Sequence, residues 1–154
     1  MKTAYIELNG SNHISSLKKN YDRKNFLYKG ISFFPKVNVT SLAEILRGDY
    51  SYFILDIGII SAYTVQEFLR CDKSILVCSP STWRYHEIKE KIEQTFKNIS
   101  YQNQMTVVLN LCEKESKFPI FCKQCRHVSF NYLTNPFQIE PKHFCAISQI
   151  LERT

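Results

Sequence analysis

A chain of 154 residues, 44% hydrophobic and 22% charged, is long enough to bury a core and has the composition of a globular domain. No run of 18 or more apolar residues occurs, which excludes a transmembrane helix, and the amino end (Met1 to Asn12) turns polar too early for a secretory signal. The net charge of +6 is uneven: residues 1–40 hold seven Lys/Arg (Lys2, Lys18, Lys19, Arg23, Lys24, Lys29, Lys36) against Glu7 and Asp22.

In chain order, TAYIEL (3–8) predicts a strand closed by the turn cluster NGSN. The basic stretch KKNYDRKNFLYK (18–29) follows, with some helical character. Interleaved with Tyr21, Phe26 and Tyr28, it can meet a nucleic acid or another anionic surface, or serve simply as a solvated helix end and loop. GISFFPKV (30–37) is a second apolar run, ended or placed at an edge by Pro35. Ser41 and Glu44 have the spacing of a capping box, and Gly48 is placed to stop that helix.

YFILDI (52–57) and SILVC (74–78) are apolar on both faces, as expected of strands covered by helices on each side. Between them SAYTVQEFLRCD has helical spacing, with Tyr63, Phe68 and Leu69 on one face. STWRYHEIKEKIEQTFKN predicts the longest helix. Its apolar stripe is Trp83, Ile88, Ile92 and Phe96, and Glu87–Lys91 and Glu93–Lys97 are favourable i,i+4 pairs. MTVVLNL (105–111) and HVSFNYL (127–133) complete the strands. A TNPF turn follows, then a closing helix from about Pro141. Short apolar strands alternating with helices argue for one domain over residues 1–154, with a parallel α/β sheet.

The six cysteines are Cys71, Cys78, Cys112, Cys122, Cys125 and Cys145. Without an export signal their even count does not imply a disulfide framework, and a reducing cytoplasm fits. Cys122 and Cys125 have the two-residue gap of zinc thiolates, with His143 and Cys145 as later candidates. The last two project to different faces of a helix, so free thiols compete with zinc as the reading. No Ser/His/Asp or Cys/His nucleophile grouping stands out.

GDYSYFILDIG, EFLRCDKSILVCSPS, TVVLNL and NYLTNPF, in that order, resemble the MinD/ParA-like P-loop ATPases over about residues 40–137, and AYIELNGS is similar to that family's earlier switch strand. The resemblance is closest to divergent bacterial members. It implies a three-layer, mainly parallel α/β fold of the P-loop NTPase (MinD/ParA) type. By it, Asp56 matches the Walker B aspartate that holds magnesium through water, and Gly58 the small switch residue after it. Asn110 matches the adenine-contacting asparagine, and Glu7 the switch aspartate. On its own residues, Asp56 reads as a local cap ahead of a metal holder, and Asn110 reads equally as a turn former.

The family's phosphate loop has no counterpart within these residues. G-x-x-x-x-G-K-[ST] is missing, the glycines are Gly10, Gly30, Gly48 and Gly58, and LNGSNHISSLKK is the nearest imitation. The resemblance therefore implies a chain without the first β-strand and phosphate loop. No cofactor is expected, and ATP with magnesium enters only if another chain supplies the loop. The expected function is a non-catalytic interaction or regulatory protein, with a protein partner or second copy. The alternatives are a truncated or split piece of such an ATPase and a zinc-stabilised binding module.

Overall fold

The structure, a computed structural model, describes residues 1–18, 25–61, 63–79, 85–96, 105–110, 125–131 and 138–152. They form two compact units, Met1–Thr64 and Val65–Thr154. The first contains strands β1 (Thr3–Glu7), β2 (Phe26–Tyr28), β3 (Ile31–Phe34) and β4 (Tyr52–Asp56), with helix α1 (Val39–Leu46) and a 3₁₀ turn at His13–Leu17. The second contains α2 (Val65–Arg70), β5 (Ser74–Cys78), α3 (Tyr85–Phe96), β6 (Met105–Asn110), β7 (Arg126–Phe130) and α4 (Pro141–Leu151).

The first sheet has the order β2-β3-β1-β4, and β1 runs parallel to both β3 and β4. Its antiparallel member, β2, lies in the segment that the sequence reads as partly helical. A two-residue turn explains the difference. Lys29 (φ 48°) and Gly30 (φ 81°) both take left-handed backbone, the requirement of the type I′ turn whose twist matches two paired strands. Phe26 is thereby buried, stacked on Phe33 with ring centroids 5.4 Å apart. It is spent on the core and is not free to stack on a base. Residues 19–24 of the basic stretch, Tyr21 included, lie outside the described residues.

Alternation along the strands divides the packing. On one face Ala4, Ile6 and Phe34 meet Leu42 and Ile45 of α1, together with Phe53 and Leu55. On the other, Phe26 and Phe33 pack with Ile14 and Leu17 of the 3₁₀ turn. Helix α1 begins three residues earlier than a Ser41/Glu44 capping box requires. Asn38 is its N-cap, and the Asn38 side chain accepts from Ser41 N at 2.8 Å. Beyond the helix, the Gly48 amide closes onto Ile45 O at 2.9 Å, where a Cβ would stand 3.0 Å from that oxygen.

In the second unit β5, β6 and β7 are all parallel and in sequence order. Phe68 of α2 and Phe96 of α3 are buried with ring centroids 5.9 Å apart, and Ser74 Oγ at the start of β5 donates to Phe68 O at 2.6 Å. Tyr63, expected on the inward face with Phe68, is exposed, and Val65 takes the buried position. Trp83 and Lys97 lie outside the described residues. Helix α4 starts at Pro141 and covers β7: His143 is buried against Phe130 (5.6 Å between ring centroids), and Arg126 pairs with Glu152 at 2.8 Å.

Two strands depart from the expectation that both faces are covered. In β4, Tyr52 is 55% and Ile54 47% exposed; in β5, Ile75 is 41% and Val77 59% exposed. Each strand ends its own sheet.

Candidate functional site

In a parallel sheet the strands' carboxyl ends converge, and side chains placed there face a common crevice. The register sets Glu7 of β1 directly opposite Asp56 of β4, two acidic residues on neighbouring strand ends. Alternation also puts Tyr5 on the face of Glu7, one diagonal step from Asp56. The Tyr5 hydroxyl takes that step and donates to Asp56 Oδ2 at 2.8 Å. The other carboxylate oxygen, Oδ1, accepts from the Gly58 amide at 3.2 Å. Burial, and next the hydrogen bond to Asp56, push the Tyr5 phenol well above its ordinary range, so it stays a donor at any physiological pH.

Glu7 is fully buried and is used differently. Its Oε1 gathers the loop after β1, accepting from His13 N at 2.7 Å, Ser11 Oγ at 3.0 Å and Ile14 N at 3.4 Å. A carboxylate taking several donors from one loop fixes that loop's path. Its Oε2 is buried without a hydrogen-bond partner among the described residues. The loop it holds contains Gly10 (φ 71°) and Asn12 (φ 58°), both left-handed, and Asn9 Oδ1 accepts from Ser11 N at 2.8 Å.

Gly58 locks the two loops together. Its φ is +74°, and a Cβ there would lie 2.5 Å from the Asn9 Cβ, so only glycine fits without moving the loop after β1. The ladder continues past the strands, Leu8 N donating to Asp56 O at 2.8 Å.

The structure thus brings together Glu7, Asp56 and Gly58 in the first unit. Asn110 ends β6 of the second unit, in register with Phe130. Cys125 is buried and disulfide-bonded, which occupies its sulfur, and Cys122 lies outside the described residues. Among the described residues no group of three or more His, Cys, Asp or Glu is arranged to hold a metal ion. The sequence reading missed Tyr5, Asn9 and Ser11. The signal for Tyr5 was its spacing of two from Glu7, which becomes informative only once β1 and β4 are known to be neighbours.

Asp56, to which the resemblance assigns magnesium, is already engaged within the chain. Both Asp56 oxygens and Glu7 Oε1 already accept from the chain's own groups. The left-handed loop after β1 carries no lysine between Leu8 and Leu17 to neutralise a phosphate. What the arrangement does chemically is hold two loops in one conformation.

No protein-family model matches the chain, and no curated protein matches it. Among solved structures it is similar to a ParA family ATPase from Chlorobium tepidum TLS, with 14% identity and a TM-score of 0.57, over 86% of this chain and 71% of that one. At that identity the likeness shows the fold, and the chain has a ParA-like α/β fold. No helix among the described residues is long and apolar enough to cross a membrane.

Proposed function

We propose that this chain is a non-catalytic interaction or regulatory protein built on a ParA-like fold. One observation carries the reading. Asp56, at the position that the resemblance assigns to magnesium, has its oxygens engaged by Tyr5 and Gly58 and serves to fasten the loops after β1 and β4. The absence of G-x-x-x-x-G-K-[ST] within these 154 residues supports it, because phosphoryl transfer depends on positioned charge around the phosphates. Glu7 and Gly58 act as loop anchors in this reading, and Asn110 as a strand-end residue. The purified protein is expected to release no inorganic phosphate from ATP above the buffer rate, with or without magnesium. Sustained release that disappears in Asp56→Asn would overturn the proposal.

A second reading is favoured by a different observation, the position of β4 at the end of its sheet. In it the chain is one piece of a split ATPase whose phosphate loop lies on another polypeptide. A neighbouring reading frame encoding a strand followed by Gly-Lys-Ser/Thr would support this. Unrelated flanking sequence would count against it.

A further inference from the structure

Asn9 does more in the loop after β1 than face Gly58. Its Oδ1 accepts from Ser11 N at 2.8 Å and from Ser11 Oγ at 2.6 Å, so two donors converge on one amide oxygen. The Ser11 hydroxyl has a single hydrogen and shares it with Glu7 Oε1 at 3.0 Å, the shorter contact being to Asn9. Glu7 Oε1 also has the His13 and Ile14 amides, so it does not depend on that hydroxyl. Two donors aimed at a carbonyl oxygen form an oxyanion hole. They stabilise the negative charge that grows on the oxygen when a nucleophile adds to its carbon.

The nucleophile is the next residue in the chain. The main-chain nitrogen of Gly10 can close a five-membered ring onto Asn9 Cγ, and nothing obstructs it. A Cβ placed on Gly10 would meet nothing within 4 Å, and no described residue accepts a hydrogen bond from its N–H. Gly10 is exposed and Asn9 half-buried, so water reaches both. Asn12 in the same loop provides the contrast. It precedes His13, and its side chain makes no capping hydrogen bond.

We propose that Asn9-Gly10 is a self-modification site, where the folded chain converts Asn9 to aspartate and isoaspartate and so releases the loop from Gly58. Gly10 N gives its proton to a solvent base and bonds to Asn9 Cγ, and negative charge moves onto Oδ1 between the two Ser11 donors. As the carbonyl re-forms, the Cγ–Nδ2 bond breaks, and Nδ2 takes a proton from water and leaves as ammonia. Water then opens the cyclic imide at one of its two carbonyls. Opening at Cγ gives aspartate. Opening at the main-chain carbon gives isoaspartate, whose chain runs on through Cβ and Cγ. The net reaction consumes one water, releases one ammonia and needs no oxidant or cofactor.

Either product carries a new negative charge that shares the Ser11 hydroxyl with the fully buried Glu7, and like charges so placed repel. Isoaspartate also lengthens the main chain by one carbon at the residue whose Cβ closes on Gly58. The contact between the loops after β1 and β4 is thereby lost with time.

The test incubates the full chain and the synthetic peptide of residues 3–18 side by side, with mass spectrometric fragmentation to separate Asn9 from Asn12. Asn9 should convert at least fivefold faster in the folded chain than in the peptide, with Asn12 unchanged, and the product should take one oxygen from heavy-oxygen water. Ser11→Ala should bring the folded-to-peptide ratio down toward one, and Ser11→Thr, which keeps the hydroxyl, should restore it. Ser11 is exposed, so both variants keep the fold. Converted protein, separated by ion exchange, should unfold at lower urea than fresh protein. A folded rate no higher than the peptide's would overturn the proposal, as would an unchanged ratio in Ser11→Ala or an unchanged urea midpoint after conversion.

Discussion

At the scale of single residues, the crevice where β1 and β4 end is held by a few contacts, each open to substitution. Gly58→Ala places a Cβ 2.5 Å from the Asn9 Cβ at a backbone φ of +74°. The strained conformation should cost about 1–3 kcal/mol, read as a lower urea midpoint. Tyr5→Phe removes the donor to Asp56 Oδ2 and should cost about 1 kcal/mol. The same tyrosine sets a pH dependence. Its folded-state pKa is raised above the ordinary 10.0, by burial first and then by the hydrogen bond to Asp56. Its contribution is therefore complete below pH 10 and lost as pH rises beyond it. Wild type should lose more stability than Tyr5→Phe above pH 10, and equal losses would show that Tyr5 does not carry the effect. Thiol reactivity should separate the cysteines. Burial pushes Cys78 up to about 11, while Cys145 is exposed, so alkylation followed by mass spectrometry should find Cys145 modified well before Cys78.

At the scale of elements, local chemistry decides boundaries more finely than apolar pattern does. Asn38 caps α1 through Ser41 N, and Asn38→Ala should cost about 1 kcal/mol in thermal or urea unfolding, with Ser41→Ala close to neutral. The sequence pattern pointed to Ser41 because a Ser with Glu three residues on is a common start, yet Asn38 three residues earlier is an equally good cap and its side chain accepts from Ser41 N. Strands β1, β3, β4, β5, β6 and β7 and helix α4 were legible from apolar runs and Pro141. Strand β2 was not, since three residues in a basic segment give no periodicity. Its existence depends on Lys29 and Gly30 accepting left-handed backbone. The doubly buried reading of β4 and β5 failed for a related reason. Composition reports what a strand is able to bury, and the elements available to cover it are a tertiary fact.

At the scale of the whole molecule, a ParA-like fold is present in a chain whose strand-end carboxylates serve its own loops. Motif order made that fold legible with few identical residues, because alternating strands and helices tolerate almost any apolar substitution. The candidate site was legible by position only. The sequence points to Asp56, Gly58 and Glu7, but what they contact depends on Tyr5, Asn9 and the loop amides, which reach them through register and backbone path. The sharpest test of the account is a calorimetric titration of the purified chain with ATP and magnesium. A chain whose Asp56 is committed to Tyr5 and Gly58 should show no binding stronger than about 1 mM. Micromolar binding that is lost on chelating magnesium, and lost again in Asp56→Asn, would contradict it.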